Sequence, residues 1–139
     1  MATIDCTFHM TDFQLDSPWG EDDVYLLILW GEGMALELRL DMDKLNYIIS
    51  EIESGMRLSE EDRKQHEVEE LLYQPPAASP NNLRFHFYEL GNLQALYQAP
   101  DHLWEMVFED DEDESQCDIM MSTLQVKSLL KSLKEEAIK

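Results

Sequence analysis

The chain has 139 residues, of which 44% are hydrophobic, which is the size of one ordinary domain with a single core. Its 30 acidic residues against 10 basic ones give a formal net charge of -20. Such a field repels phosphate groups, so the composition argues against direct nucleic-acid binding and against docking on an anionic membrane. A basic protein partner would instead be attracted over long range, unless the acidity serves only solubility.

The cysteines and the apolar segments indicate in which cellular compartment the protein is expected. Residues 1–5 lack the basic and apolar segments of a secretory signal, and the longest apolar run, 24–30, is too short to cross a bilayer. The two cysteines, Cys6 and Cys117, lie outside any CxxC or Cys/His spacing. They do not make a disulfide framework, although a bond between the two stays open. These features favour a soluble, cytoplasmic protein.

Alternation of apolar and polar residues predicts three strands in the first part of the chain. Residues 3–10 alternate, 24–30 are apolar on both faces as in a central strand, and 34–40 alternate again. The glycines of 31–33 predict a tight turn between the last two strands. These two strands are therefore expected to form an antiparallel hairpin.

A capped helix is predicted directly after this hairpin. Asp41 or Asp43 provides a short acceptor side chain for the first turn, and Gly55 is expected to stop the helix at about Glu53. A second, polar helix is predicted within residues 58–74, since acids at its start favour the positive end of the helix dipole.

The second part of the chain follows a proline-rich loop at 75–82. Residues 83–88 and 93–98 alternate in polarity, and the turn residues between them predict a second hairpin. Two further strands are predicted, at 103–108 and 117–121.

The chain closes with an amphipathic helix from Thr123 to about Ala137, capped by Ser122. Its apolar spacing matches that of the first helix after a shift of 81 residues, which also places Leu36 on Cys117 and Asp41 on Ser122. The matched helix positions are Leu45, Ile48, Ile49, Ile52 and Met56 in the first helix and Val126, Leu129, Leu130, Leu133 and Ala137 in the second. The match predicts two tandem strand-strand-helix units, or else only the common pattern of a strand before a capped helix.

Together the elements predict an α+β fold, an antiparallel sheet with amphipathic helices packed on one face. We expect a single domain over residues 1–139. Sub-units 1–74 and 83–139, joined by the proline-rich loop 75–82, are the alternative division.

Six consecutive acids are predicted at the tip of the last hairpin. Their mutual repulsion favours an exposed loop. They are Glu109, Asp110, Asp111, Glu112, Asp113 and Glu114. No register starting at Asp110 or Asp111 supplies the glycine and glutamate that a calcium-binding EF-hand loop requires, so no metal site and no cofactor is predicted.

Trp19 lies in a predicted turn close to Asp22 and Asp23. Aromatic anchors rimmed by charge are common in binding hot spots, so these three residues join the six acids as predicted partner-binding residues. Trp30 and Trp104 are expected in the core.

No catalytic residue is predicted, and the chain is not expected to be an enzyme. The four histidines are scattered without metal-ligand spacing, there is no GxSxG motif, and five glycines are too few for phosphate-binding loops. The histidines are His9, His66, His86 and His102.

These observations favour a stoichiometric protein-binding inhibitor. The chain looks like bacterial toxin-neutralising immunity proteins as a class in being small and acidic, which implies a basic toxin such as a nuclease as partner. No family motif carries this resemblance. An adaptor or assembly subunit, including a homodimer, and a nucleic-acid mimic are the alternatives.

Overall fold

The computed structural model describes residues 5–16, 24–65, 83–87, 89–98, 103–111 and 115–138. This part of the chain contains seven strands and three helices, an α+β fold. The strands are β1 (Asp5–Asp16), β2 (Tyr25–Gly31), β3 (Met34–Leu40), β4 (Leu83–Phe87), β5 (Leu90–Gln98), β6 (Leu103–Asp110) and β7 (Gln116–Met121). The helices are α1 (Met42–Leu58), α2 (Glu60–Gln65) and α3 (Thr123–Ala137).

The strands form one mixed sheet in the order β4-β3-β2-β1-β7-β6-β5. The pairs β1–β7 and β3–β4 are parallel, and the other four pairs are antiparallel. The prediction of a purely antiparallel sheet is therefore wrong. Alternation along a strand shows which residues face the core, but it does not show which strand lies alongside.

Strand β1 is longer than predicted and serves two neighbours. Its first part, residues 5–9, pairs in parallel with β7, and its second part, residues 10–16, pairs antiparallel with β2. The register shifts between Met10 and Asp12, where one part passes into the other. At this shift the inward phase changes, so that Phe8 and Met10 before it and Phe13 and Leu15 after it pack against the core.

This division of β1 defines two half-sheets that share the strand. The first half-sheet consists of β4, β3, β2 and residues 10–16 of β1. The second half-sheet consists of residues 5–9 of β1, β7, β6 and β5.

The predicted hairpin between 83–88 and 93–98 is wrong. Strand β4 pairs with β3 and β5 pairs with β6, so the two strands lie at opposite ends of the sheet order. The predicted turn residues are instead part of β5, which starts at the buried Leu90 and pairs irregularly between Leu90 and Asn92. Residues that favour turns also fit a strand irregularity of this kind.

Helix α1 does not stop at Gly55 but continues to Leu58. A Cβ atom on Gly55 would lie 2.7 Å from the Ala95 carbonyl oxygen and 3.0 Å from Trp104 Cζ3. The glycine therefore permits the close approach of the helix to β5 and β6, which is a different use from ending a helix. Asp41, one of the two predicted caps, is confirmed, because its side chain accepts a hydrogen bond from Lys44 N.

Helix α2 lies inside the predicted polar helix of residues 58–74. Leu58 belongs to α1 and Ser59 is its C-cap, whereas residues 66–74 of the predicted helix and the proline-rich loop 75–82 lie outside the described residues.

Helix α3 and its cap are confirmed. The Ser122 hydroxyl accepts from Gln125 N, and the Gln125 side chain accepts from Ser122 N, which satisfies two backbone donors of the first turn. Trp104 is fully buried, as predicted, and its Nε1 donates to Thr123 Oγ1 at 2.9 Å. Trp30, also predicted in the core, is only partly buried and lies outside the hydrophobic cluster.

One hydrophobic cluster draws side chains from both half-sheets and from α1 and α3. Its largest fully buried members include Trp104, Phe87, Phe108 and Met10. Residues before and after the proline-rich loop therefore pack together in this cluster.

Candidate protein-binding surface

The predicted acidic loop is only partly described. Glu109 and Asp110 are the last residues of β6, and Asp111 is an exposed turn residue. The other predicted site residues lie outside the described ranges: Glu112, Asp113, Glu114, Trp19, Asp22 and Asp23.

Backbone hydrogen bonds fix the base of this tip. Asp110 N donates to the Ser115 carbonyl oxygen at 2.8 Å, and Asp111 N donates to the Glu89 carbonyl oxygen at 2.8 Å. A Cβ atom on Gly91 would lie 3.0 Å from Asp111 Cα, so the turn lies directly against the start of β5. Asp110 and Asp111 are therefore held beside the sheet, and the exposed Glu89 adds a further carboxylate there.

Next to this tip, the outward side of the second half-sheet carries four carboxylates. Cys6, Phe8 and the residues of β6 and β7 that belong to the hydrophobic cluster point to the core, so the alternate residues point outward. The outward carboxylates, which we call the acidic face, are Asp5, Glu105, Glu109 and Asp118.

The strand register shows how these carboxylates are grouped. Glu109 pairs with Gln116, which pairs with Asp5, and Asp118 lies in the next outward row between Val107 and Thr7. The strands of this half-sheet contain no Lys or Arg. The carboxylates therefore share one surface without a Lys or Arg on the same strands to offset their charge.

A shallow cavity of about 380 Å³ opens at the far end of the acidic face. Leu103 and Met120 give it an apolar floor, and Glu105 gives it a carboxylate. His9 and Gln98 complete the lining. A cavity with these walls suits the stem and cationic head of an arginine or lysine side chain.

The outward side of the first half-sheet is different. There Glu37 is almost fully buried, and its carboxylate accepts from Arg84 Nη1 at 2.7 Å and lies 2.8 Å from His86 Nδ1. The exposed Arg39 lies on the same strand. On this side a carboxylate is already paired with basic groups of the same chain.

Within the described ranges, no three side chains of His, Cys, Asp or Glu come together as metal ligands would. None of the helices in this part of the chain combines the length and apolar character that a membrane span needs. Comparison of the chain with protein-family models, curated proteins and solved structures finds no match.

Sequence reasoning missed Asp5, Glu105 and Asp118. Each lies on the polar phase of its own strand, so the alternation predicts that each one points outward. Their grouping depends on β7 lying between β1 and β6. The parallel β1–β7 pair that completes this grouping joins residues far apart in the chain, and no local pattern predicts it.

Proposed function

We propose that this protein is a stoichiometric inhibitor of a basic protein in the cytoplasm, most simply an immunity protein that neutralises a bacterial toxin such as a nuclease. The acidic face carries the proposal. It is a sheet surface on which one sign of charge is concentrated, next to a sequence of acids of the same sign in the last hairpin. Such a surface is complementary to the cationic active site of an enzyme that acts on phosphates.

The mechanism has two stages. The field of the acidic face and the Glu109–Glu114 tip first attracts the basic partner and raises the association rate. The partner then loses water against the sheet, and a cationic side chain enters the cavity next to Glu105. The inhibitor blocks access to the active site without chemical change in either protein.

The layout of the carboxylates favours this proposal over a nucleic-acid mimic. A mimic would use continuous rows of acids at the spacing of phosphates. On the acidic face, neutral side chains separate the carboxylates: Thr7, Val107, Gln116 and Met120. This interrupted patch suits one complementary protein surface better than it imitates a regular backbone.

An adaptor or assembly subunit remains the second candidate because of exposed leucines on the outermost strands. Leu83 of β4 is 55% exposed and Leu96 of β5 is 46% exposed. Outer strands with apolar side chains pair readily with another chain, including a second copy. Leu96 is the register partner of Glu105 on the acidic face, but pairing through these strands would use backbone groups and apolar contacts and would not require the carboxylates.

We also infer that the fold consists of two tandem strand-strand-helix units, with both long helices on one face of the sheet. The register supports this, since Leu38 pairs with Leu27 and, at the matched positions, Ile119 pairs with Met106. The irregularities in β1 and β5 fall at matching places in the two pairings. Asp41 and Ser122 cap their helices at corresponding positions.

The test compares two variants of equal net charge. The first neutralises the acidic face with Asp5→Asn, Glu105→Gln, Glu109→Gln and Asp118→Asn. The control removes four charges from exposed positions of α1 and α2 with Asp43→Asn, Glu60→Gln, Glu61→Gln and Asp62→Asn. Each is co-expressed with a panel of basic toxin nucleases, and growth rescue is scored. Association rates with any toxin that the wild type neutralises are then measured at low and high salt.

We expect the wild type to rescue growth against at least one toxin with one-to-one stoichiometry. The face variant should associate about 100-fold more slowly, while the control changes by only a few-fold. Equal losses in both variants would reduce the effect to net charge alone. Binding that resists both high salt and neutralisation would favour the adaptor.

A further inference from the structure

The two cysteines lie opposite each other inside the sheet. Cys6 of β1 and Cys117 of β7 are register partners in the parallel pair, and their Sγ atoms are hydrogen-bonded at 2.8 Å. Both are free thiols. Residues 111 positions apart in the chain are thus brought into direct contact by the fold.

This placement suits a disulfide bond. Neighbouring strands are about 4.8 Å apart. That spacing is within the range of about 4.4–6.8 Å between the Cα atoms of disulfide-bonded cysteines. Both side chains point to the same side of the sheet, because directly opposed residues of paired strands share a face. The bond therefore requires side-chain rotation without separation of the strands.

The two thiols differ in accessibility and in acidity. Cys117 is fully buried, whereas Cys6 is only partly buried. The hydrogen bond with Cys117 lowers the pKa of Cys6, against the opposing effects of burial and of Asp5 and Asp118. The same hydrogen bond and burial raise the pKa of Cys117. Cys6 is thus the thiol that an oxidant reaches and that ionises first.

We propose that Cys6 and Cys117 form a reversible redox site, with Cys6 as the peroxide-reactive thiol and Cys117 as the resolving thiol. In the first step the Cys6 thiolate attacks hydrogen peroxide, the O–O bond breaks, and Cys6 sulfenic acid and hydroxide form. In the second step Cys117 sulfur attacks the Cys6 sulfur and displaces water. The hydroxide takes up the proton released when Cys6 ionised, so two thiols and one peroxide give one disulfide and two waters.

In the first half-sheet, the positions that correspond to Cys117 and Cys6 are held by two apolar residues that only pack. There Leu36 of β3 lies opposite Phe85 of β4, and both pack in the hydrophobic cluster. Cysteine can also serve as a small apolar residue. The cysteine pair differs from this apolar pair because its two sulfur atoms are in contact and can be joined by oxidation, and because Cys6 is only partly buried.

The disulfide would join the first strand to the last one. It would hold β1 against β7 and fix the spacing of Asp5 and Asp118, the neighbours of the two cysteines on the acidic face. A cross-link that closes a loop of this length restricts the unfolded chain strongly. The oxidised protein is therefore expected to be more stable than the reduced one.

The experiment treats the purified, full-length protein with one equivalent of hydrogen peroxide. We expect the thiol titre to fall from two to zero, the intact mass to fall by two hydrogen atoms, and peptide mapping to recover a Cys6–Cys117 link. The melting temperature should rise by about 10 °C and return to its starting value with dithiothreitol. The link should not form at comparable speed in urea, where the fold no longer holds the thiols together.

Two variants assign the roles. Cys117→Ala should stop at a sulfenic acid on Cys6, which dimedone traps, and Cys6→Ala should lose the rapid reaction. Alkylation of Cys6 should have its pH midpoint below that of an ordinary cysteine. The proposal is overturned if the folded wild type keeps both thiols, or if its oxidised form is a dimer linked through Cys6. Equal peroxide rates in the two variants would overturn the assigned roles, and the wild-type results do not depend on either variant folding.

Discussion

In the first half-sheet, β3 lies between a parallel neighbour, β4, and an antiparallel neighbour, β2. In the second, β7 lies in the same way between β1 and β6. The inward positions of both are apolar or cysteine, but the outward positions differ. Glu37 meets Arg84 and His86, whereas the carboxylates of the acidic face have no Lys or Arg on their strands. The same pairing pattern thus supports one surface whose carboxylate is paired within the chain and one whose carboxylates we propose to meet a partner.

The 81-residue shift places Gly55 of α1 on Glu136 of α3. Of all such matched positions, we expect these two to differ most in the loss of stability caused by alanine. Gly55→Ala places a Cβ atom against the Ala95 carbonyl oxygen and Trp104, so overpacking should exceed the helix-propensity gain of alanine. We expect a loss of about 2 kcal/mol in the free energy of unfolding, measured by urea denaturation. Glu136→Ala should change it by less than about 0.5 kcal/mol. A neutral Gly55→Ala would show that α1 does not pack closely on β5.

Glu37 of β3 and Asp118 of β7 also hold matched positions. Neutralising them is expected to reduce stability by different amounts, with a smaller difference than for the helix pair. Glu37→Gln weakens the ion pair between this almost fully buried carboxylate and the half-exposed Arg84, and we expect it to cost about 1–2 kcal/mol. Asp118→Asn affects a partly exposed carboxylate bonded to the Gln116 amide, so its cost should stay below about 0.5 kcal/mol. Thermal melts of both variants check this. Equal costs would contradict the view that only the first half-sheet uses its carboxylate for stability.

The smallest difference in stability cost is expected between alanine variants of the two helix caps, Ser122 and Asp41. Ser122 takes part in two hydrogen bonds with Gln125, and the Gln125 amide also donates to the Met10 carbonyl oxygen. Ser122→Ala removes the hydroxyl acceptor of a buried residue, keeps the backbone donor, and should cost about 1 kcal/mol. Asp41→Ala removes one exposed hydrogen bond and should cost about 0.5 kcal/mol. Urea denaturation of the two variants measures the order, and a larger cost for Asp41 would contradict it.

Local structure followed well from the sequence. The structure buries Leu36, Leu38 and Leu40 of the alternating strand and Val126, Leu129 and Leu133 of the last helix, as their spacing predicts. The predicted exposure of the other face of the strand is wrong for Ala35 and Glu37, which are also buried. Caps were equally predictable, because a short acceptor side chain before an amphipathic run has one common use. These features depend on neighbours close in the chain.

The rest depended on contacts between distant residues. Glycine is typical of a helix stop, so the sequence predicts an end near Gly55. The close contact with Ala95 shows that this glycine instead lets the helix approach β5. No local sequence pattern predicts that β1 pairs with β7 or that β3 pairs with β4. For the candidate surface, the sequence predicted an exposed loop from Glu109, but Glu109 and Asp110 are partly buried residues of β6 and only Asp111 of the described acids is exposed. Grouping Glu109 with Asp5 and Asp118 required the sheet order.

The pairing of β1 with β7 also has a consequence for synthesis. During translation, residues 5–9 leave the ribosome long before their partners in β7 are made. At about 5–20 residues per second, the interval is on the order of 5–20 seconds. During this time β2 and β3 can pair with each other and with residues 10–16 of β1. Residues 5–9 remain unpaired until β7 has been synthesised. Closure of the sheet is thus a late event, and until then the nascent chain exposes a strand edge that chaperones can protect.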